Sequence, residues 1–247
     1  MVPLRDDNPV KITPYITYGL IAINLLIFVI EMIVSTTSPD ALETFFYQWA
    51  VVPKELTNSF LEHFSTHSLL EWSTLITAQF LHAGFFHVAG NMLYLWIFGN
   101  NVEEEMGRLR FLIFYLSCGI LAALAQWFFA PDSAIPSLGA SGAIAGVMGA
   151  YIFRYPKVRI LTFIPFGFIF FTPRIPAYLF LGIWFLQQAA YGFASLGVST
   201  NIGMEGGGIA YWAHAGGFAF GALLGPFFGL FDHLEEGDRP TDIETNS

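Results

Sequence analysis

The sequence predicts an all-α membrane protein with six transmembrane helices. Three observations predict it. The 247 residues are 55% hydrophobic and 12% charged, against about 25% charged in a soluble domain. Six apolar segments reach or approach the roughly 20 residues that cross a bilayer as a helix, at about 15–35, 86–106, 111–130, 139–154, 175–197 and 207–230. The basic residues between these segments fall on alternate sides.

The first segment is longer than a signal-peptide core and lacks a small-residue cleavage site, so it reads as a retained helix, with Glu31 as an interfacial acid. The long loop at 36–85 carries Phe46, Trp49, Phe60, Phe64, Trp72 and Phe80 among polar residues. That mixture suits short helices lying partly in the headgroup zone. His63 and His67 in this loop have the spacing of helical metal ligands but read as surface or interfacial residues. On the second segment Gly99, Glu103 and Gly107 continue the Asn91 face, with Glu103 expected to bond a neighbouring helix end. The third holds Cys118, the one cysteine, so no intramolecular disulfide forms. The fourth carries Gly139, Gly142, Gly146 and Gly149, and the sixth Gly217, Gly221 and Gly225, faces that let membrane helices approach closely. Between the fourth and fifth, the run with Phe163 and Phe166 is broken by Pro165 and reads as interfacial loop. The fifth turns Tyr178, Phe180, Trp184 and Phe185 toward lipid and has few small residues to lock it, so it reads as a lateral gate. The 198–206 loop, with Gly197, Gly203, Gly206, Gly207 and Gly208 in and around it, suits a mobile cap. Residues 1–231 form one membrane domain, and 232–247 an acidic, disordered cytoplasmic tail. There is no internal repeat.

Arg5 and Lys11, Arg108 and Arg110, Arg154, Lys157, Arg159 and Arg174, and Arg239 all fall on one side, and only Lys54 on the other. The positive side is cytoplasmic. Both termini then face the cytoplasm, and the loops at 36–85, 131–138 and 198–206 face outward. The net charge of −9 arises mostly at the ends and outside the apolar segments. With no basic stripe, nucleic acid is excluded as a partner. Ser141 to Arg154 is about 20 Å of helix at ~1.5 Å per residue. In a hydrocarbon core ~30 Å thick, Ser141 lies roughly 10 Å below the outer surface. The same arithmetic from His214 to Asp232 gives about 27 Å, an excess to be absorbed by tilt or a cytoplasmic extension.

Ser141 and His214 each open an apolar segment among small residues, in Gly139-Ala140-Ser141-Gly142 and Ala213-His214-Ala215-Gly216-Gly217. A serine hydroxyl becomes a useful nucleophile when a base takes its proton, and imidazole does this near neutral pH. No Asp or Glu lies within the helices near either residue, so a dyad is the economical reading. Acyl transfer also needs donors for the developing oxyanion. His87 and Asn91, four apart on one helical face, supply two. The Ser141 amide supplies a third. His82 supports them from the loop, and Gly139 and Gly142 flank the serine. Taken alone, a membrane serine usually bonds a backbone carbonyl, and His87 with Asn91 reads as glue between helices. The catalytic reading rests on serine, histidine and donor pair mapping to one side at similar depth. A transporter is disfavoured by the absence of paired intramembrane charges and of a repeat. A His-Glu-x-x-His metalloprotease helix is absent. The Gly-x-Ser-x-Gly elbow fails at Ala143. No cofactor or metal is expected.

Three motifs, His82-x4-His87-x3-Asn91, Gly139-Ala140-Ser141-Gly142 and Ala213-His214-x2-Gly217-x3-Gly221, with Gly99-x3-Glu103-x3-Gly107, resemble the rhomboid intramembrane serine proteases. The resemblance runs from Pro3-Leu4-Arg5-Asp6 through the sixth segment. It implies a rhomboid-like six-helix bundle with an interfacial first loop, and a water-filled cavity open to the outside. It implies Ser141 as nucleophile, His214 as base, and His87 and Asn91 as oxyanion donors. The substrates implied are membrane-spanning proteins, cut in or near the helix at small residues. A catalytically silent relative that binds membrane helices is the competing reading, and the presence of both Ser141 and His214 favours the enzyme. Two departures stand out. Family members often place an aromatic ring four residues after the nucleophile, against the histidine, where this chain has Ala145. Many carry Trp-Arg in the first loop, where Trp72 is followed by Ser73, which leaves the anchoring of that loop open.

Overall fold

The computed structural model describes residues 1–61, 66–167, 169–196 and 210–232, the side chains of 66 and 67 excepted. His63, the side chain of His67, the glycine-rich 198–206 segment and the tail beyond Asp232 lie outside the described residues.

The apolar segments become helices near their expected limits: α1 (Tyr15–Ser35), α7 (Arg108–Phe129), α8 (Ser141–Arg154), α9 (Ala177–Ser195) and α10 (Tyr211–Leu224). The second segment is continuous but composite. It runs as α5 (Phe85–Tyr94), a π turn (Leu95–Gly99) and α6 (Asn100–Met106). The expected first-loop helices are α2 (Ala41–Trp49), α3 (Pro53–Leu61) and α4 (Thr66–Thr77). By length and composition, α1 and α7 are apolar enough to cross a membrane. At 14 residues each, α8 and α10 are the short pair at the centre.

The chain is mostly helical, not all-α. Strands β1 (Val2–Asp6), β2 (Arg159–Phe166), β3 (Ile169–Phe171) and β4 (Arg174–Pro176) form an antiparallel sheet in which β2 pairs with the other three. Phe163 and Phe166 therefore lie in a strand rather than a loop. Pro165 fits because a strand tolerates a proline where no ladder donor is needed. The sheet ties the N-terminus to the 155–176 connection, two segments expected on one side. On the other side Val51 and Ser137 exchange two backbone hydrogen bonds, of 3.0 and 2.7 Å, joining the first loop to the 131–138 loop.

Packing explains the glycines. A Cβ on Gly146 would lie 3.3 Å from the Gly217 carbonyl and 2.5 Å from Cys118 Cβ. Cβ atoms on Gly217 and Gly221 would run into the carbonyls of Gly142 and Gly146. So α8 and α10 touch backbone to backbone, with α7 closing the third side. Removing side chains here converts surface that lipid solvates equally well into close van der Waals contact, the main attraction available between membrane helices. After Leu224 the chain turns into a 3₁₀ segment (Gly225–Phe228) and a left-handed turn at Gly229. That turn absorbs the excess length after His214, so no helix extension is needed.

Charged residues sit where helix ends need them. Glu103 is buried and accepts hydrogen bonds from Ile16 N (3.0 Å), Thr17 N (2.8 Å) and Thr17 Oγ1 (2.8 Å). It thus satisfies the otherwise unpaired amides at the start of α1. This is the helix-end bond expected of it, although the π turn interrupts the face that Gly99 and Glu103 were to share with Asn91. Glu105 accepts from Arg154 (3.2 Å) and from the Tyr155 hydroxyl. Asp6 accepts from Asn101 (3.0 Å) and Tyr151 (2.6 Å), and burial raises its pKa. Glu31 is not interfacial. It is 2% exposed and accepts the His82 backbone N–H at 2.9 Å, pinning the loop before α5.

The first loop is anchored without a Trp-Arg pair. Trp72 meets Trp127 edge-on at 5.8 Å and packs beside Phe60, while Trp127 donates to Thr57 at 2.9 Å. Among the described residues, Ser73 bonds its own helix, at Leu70 O. Finally, α9 does not turn its aromatics to lipid as a set. Tyr178 is exposed, but Phe180 is buried, Phe185 stacks on Phe218 at 4.8 Å, and Trp184 packs inward.

Candidate active site

Ser141 is the first residue of α8 and His214 the fourth of α10. Because these helices run backbone to backbone, the two side chains meet directly. Ser141 Oγ lies 2.7 Å from His214 Nε2. The other ring nitrogen, Nδ1, lies 2.9 Å from the side-chain oxygen of Gln188 on α9. A neutral imidazole has one N–H. With Nδ1–H donating to Gln188, the Nε2 lone pair faces the serine hydroxyl. This arrangement can remove the Ser141 proton.

Gly139 explains the approach to the serine. Its φ of +129° lies in a region open to glycine and strained for other residues. A side chain there would also sit 2.9 Å from His87 Nε2 and 3.5 Å from Ser141 Oγ. So Gly139 leaves room for His87 and the serine to share one small volume. Its own N–H donates to Ala78 O at 2.9 Å, tying this turn to the first loop. Gly142 does something different. It packs against Ala122 of α7 and offers its carbonyl side to Gly217.

His87 Nδ1 accepts a hydrogen bond from Ala83 N at 3.4 Å, which leaves the proton on Nε2, the nitrogen toward Gly139 and Ser141. Asn91 is 8% exposed, and its side-chain nitrogen has no acceptor among the described residues. A buried donor without a partner costs free energy, so this amide is available to an acceptor. The Ser141 amide belongs to the first turn of α8, whose N–H groups have no acceptor within the helix. His82 is buried behind His87, the rings meeting edge-on at 5.1 Å. Burial, with His87 adding to it, lowers the His82 pKa to about 3, so His82 stays neutral.

Beside Ser141 a small cleft is lined by Gln79, Gly119, Ala122, Leu138 and Gly142 among others. Its walls are mostly small side chains, and Gln79 is fixed over Gly119 by bonds to Leu75 O and Leu116 O.

The Rhomboid domain family model matches residues 69–231. This chain belongs to the rhomboid family. Rhomboid proteins are membrane proteins. The chain is 38% identical over 141 residues to rhomboid protease GluP of Bacillus subtilis (strain 168), covering 57% of this chain and 24% of that protein. It is 30% identical over 156 residues to the mitochondrial rhomboid protein 1 of Saccharomyces cerevisiae, covering 62% and 40%. The human mitochondrial presenilin-associated rhomboid-like protein is 29% identical over 152 residues, covering 60% and 35%. The matches span a quarter to two fifths of the length of these relatives.

Sequence reasoning missed Gln188. It reads as a polar break in an apolar helix, beside Gln187. A polar side chain in such a segment is functional by default, and that signal was present.

Proposed function

We propose that this chain is an intramembrane serine endopeptidase that hydrolyses peptide bonds in or near the transmembrane segments of membrane proteins. The observation that carries the reading is the 2.7 Å contact between Ser141 Oγ and a His214 nitrogen free to accept the proton. Ser141 Oγ attacks the carbonyl carbon, and its proton passes to His214 Nε2. Asn91 Nδ2, His87 Nε2 and the Ser141 amide stabilise the oxyanion. His214 then protonates the leaving amine, an acyl-enzyme remains on Ser141, and a water activated by His214 releases it. No metal or cofactor enters this scheme.

The six apolar helices form the membrane domain, with both termini in the cytoplasm and the Ser141 cleft opening outward. That sidedness is supported by the positive loops and by the sheet that joins the N-terminus to the 155–176 connection. Substrate approaches sideways from the bilayer past α9, and the small-walled cleft beside Ser141 suits a small side chain at the cleaved bond.

The test is cleavage of a single-pass membrane substrate by the purified protein in detergent. Wild type cleaves, and a fluorophosphonate labels it. Ser141→Ala does neither. Cleavage by the Ser141→Ala protein refutes the assignment.

A further inference from the structure

Something must hold His214, because an imidazole on a lone Cβ–Cγ bond can turn away from its serine or change tautomer. Ala145 is fully buried and has no ring to offer. The support comes from α9 instead. Trp184 lies over His214, with centroids 5.8 Å apart and planes at 34°. One helical turn on, at the i+4 position of the same face, Gln188 Oε1 accepts the hydrogen bond of Nδ1–H at 2.9 Å. Gln188 is 9% exposed, so water does not compete freely for that bond. Ser141 and Gln188 are the hydrogen-bond partners of the His214 ring among the described residues.

We infer that Gln188 is the positioning residue of the base, fixing the tautomer and orientation of His214, with Trp184 closing the face of the ring. The inference rests on the reading of Ser141 and His214 as nucleophile and base. The chemistry fits an amide. Its oxygen accepts Nδ1–H, so Nε2 must be the proton acceptor. With the amide turned over, its NH2 would face Nδ1, the ring proton would move to Nε2, and the serine would lose its base. When Nε2 takes the proton from Ser141, the ring becomes cationic, and the bond to Gln188 strengthens because its donor is now charged. A carboxylate would strengthen it further, but an uncompensated buried charge is costly in an apolar bundle, and a neutral amide avoids that cost.

The experiment compares wild type, Gln188→Met, Gln188→Leu and Gln188→Glu on the single-pass substrate, with Ser141→Ala alongside and thermal melting of each protein. Met and Leu fill the space without an acceptor, and using both guards against a folding defect in either. Both should lower kcat by about 10- to 100-fold, the worth of a hydrogen bond to a charged group. KM should stay within about twofold, because the bond strengthens in the transition state rather than on binding. Gln188→Glu, which restores an acceptor at the same place, should recover most of the loss. Wild-type kcat in the Met and Leu variants, or equal losses in all three Gln188 variants, overturns the role of Gln188 while leaving the Ser141–His214 reading intact. A wild type no more active than Ser141→Ala overturns both.

Discussion

Adding a single methyl group beside the nucleophile tests whether helix packing sets the catalytic distance. In Gly142→Ala the new Cβ would lie 2.7 Å from Ala122 Cβ on α7, and 3.8 Å from the Ala213 carbonyl, an ordinary contact. Carbon atoms rest about 3.5–4.0 Å apart, so α8 and α7 must part by roughly 1 Å at this level. Overpacking of this kind costs about 1–3 kcal/mol of stability. The larger effect is on rate. Ser141 precedes Gly142 in the same helical turn, so a shift of ~1 Å takes its Oγ out of good hydrogen-bond range of His214, and such a misplacement costs about 100-fold. Removing the opposing methyl in the double variant Gly142→Ala/Ala122→Gly should restore most of the rate, less about 1 kcal/mol of stability for glycine in a helix. The assay is the rate of fluorophosphonate labelling and of substrate cleavage across the four proteins of the cycle. If Gly142→Ala labels and cleaves at the wild-type rate, or Ala122→Gly fails to rescue it, packing does not set the distance and the reasoning is wrong.

Other outcomes follow from the same structure. Asn91→Ala should lower kcat by about 10²–10³ with little change in KM; near-normal turnover with a lower melting temperature would make Asn91 a packing residue instead. Glu103→Ala strands the Ile16 and Thr17 donors and should lower stability by about 1–3 kcal/mol per unsatisfied group, read as thermal melting, while any protein that remains folded still takes the fluorophosphonate. Phe185→Ala removes the stack on Phe218 and loosens α9 without touching His214, so cleavage of a membrane-spanning substrate should rise relative to that of a short soluble peptide; equal changes for both would argue against lateral access. Chelators should leave cleavage unchanged, and loss of activity restored by zinc would overturn the metal-free mechanism.

The helices were legible because each is a local property. An apolar run of sufficient length is a helix wherever it lies, and glycines every fourth residue announce a partner without naming it. The Ser141–His214 contact was inferred from two such runs opening on the same side. The sheet was hidden because β1 and β2 are some 150 residues apart in a chain read segment by segment, and Pro165 looked like a break. The position of Glu31 along its helix says nothing of the loop that folds over it. The aromatics of α9 show the same limit. Trp184 is equally apolar toward lipid or toward a histidine, and only the packing of α9 on α10 decides. The proposed gate and the proposed support of the base share one helix, so trimming Trp184 is a poor test of gating because it also uncovers His214.

The π turn at Leu95–Gly99 carries a consequence for how this chain can vary. A π turn holds one residue more than the α-helical turn it replaces. Each residue advances an α-helix by about 100°. The segment before the turn places His87 beside Gly139 and Ser141, and the segment after it aims Glu103 at the start of α1. Deleting one residue within the turn would leave a regular helix of excellent local geometry, with its two halves rotated by about 100° against each other. Either His87 or the Glu103 cap of α1 would then point the wrong way. The number of residues at 95–99 is therefore constrained in its own right, beside the packing that already holds buried Leu95 and Phe98 and keeps Gly99 close to Thr17.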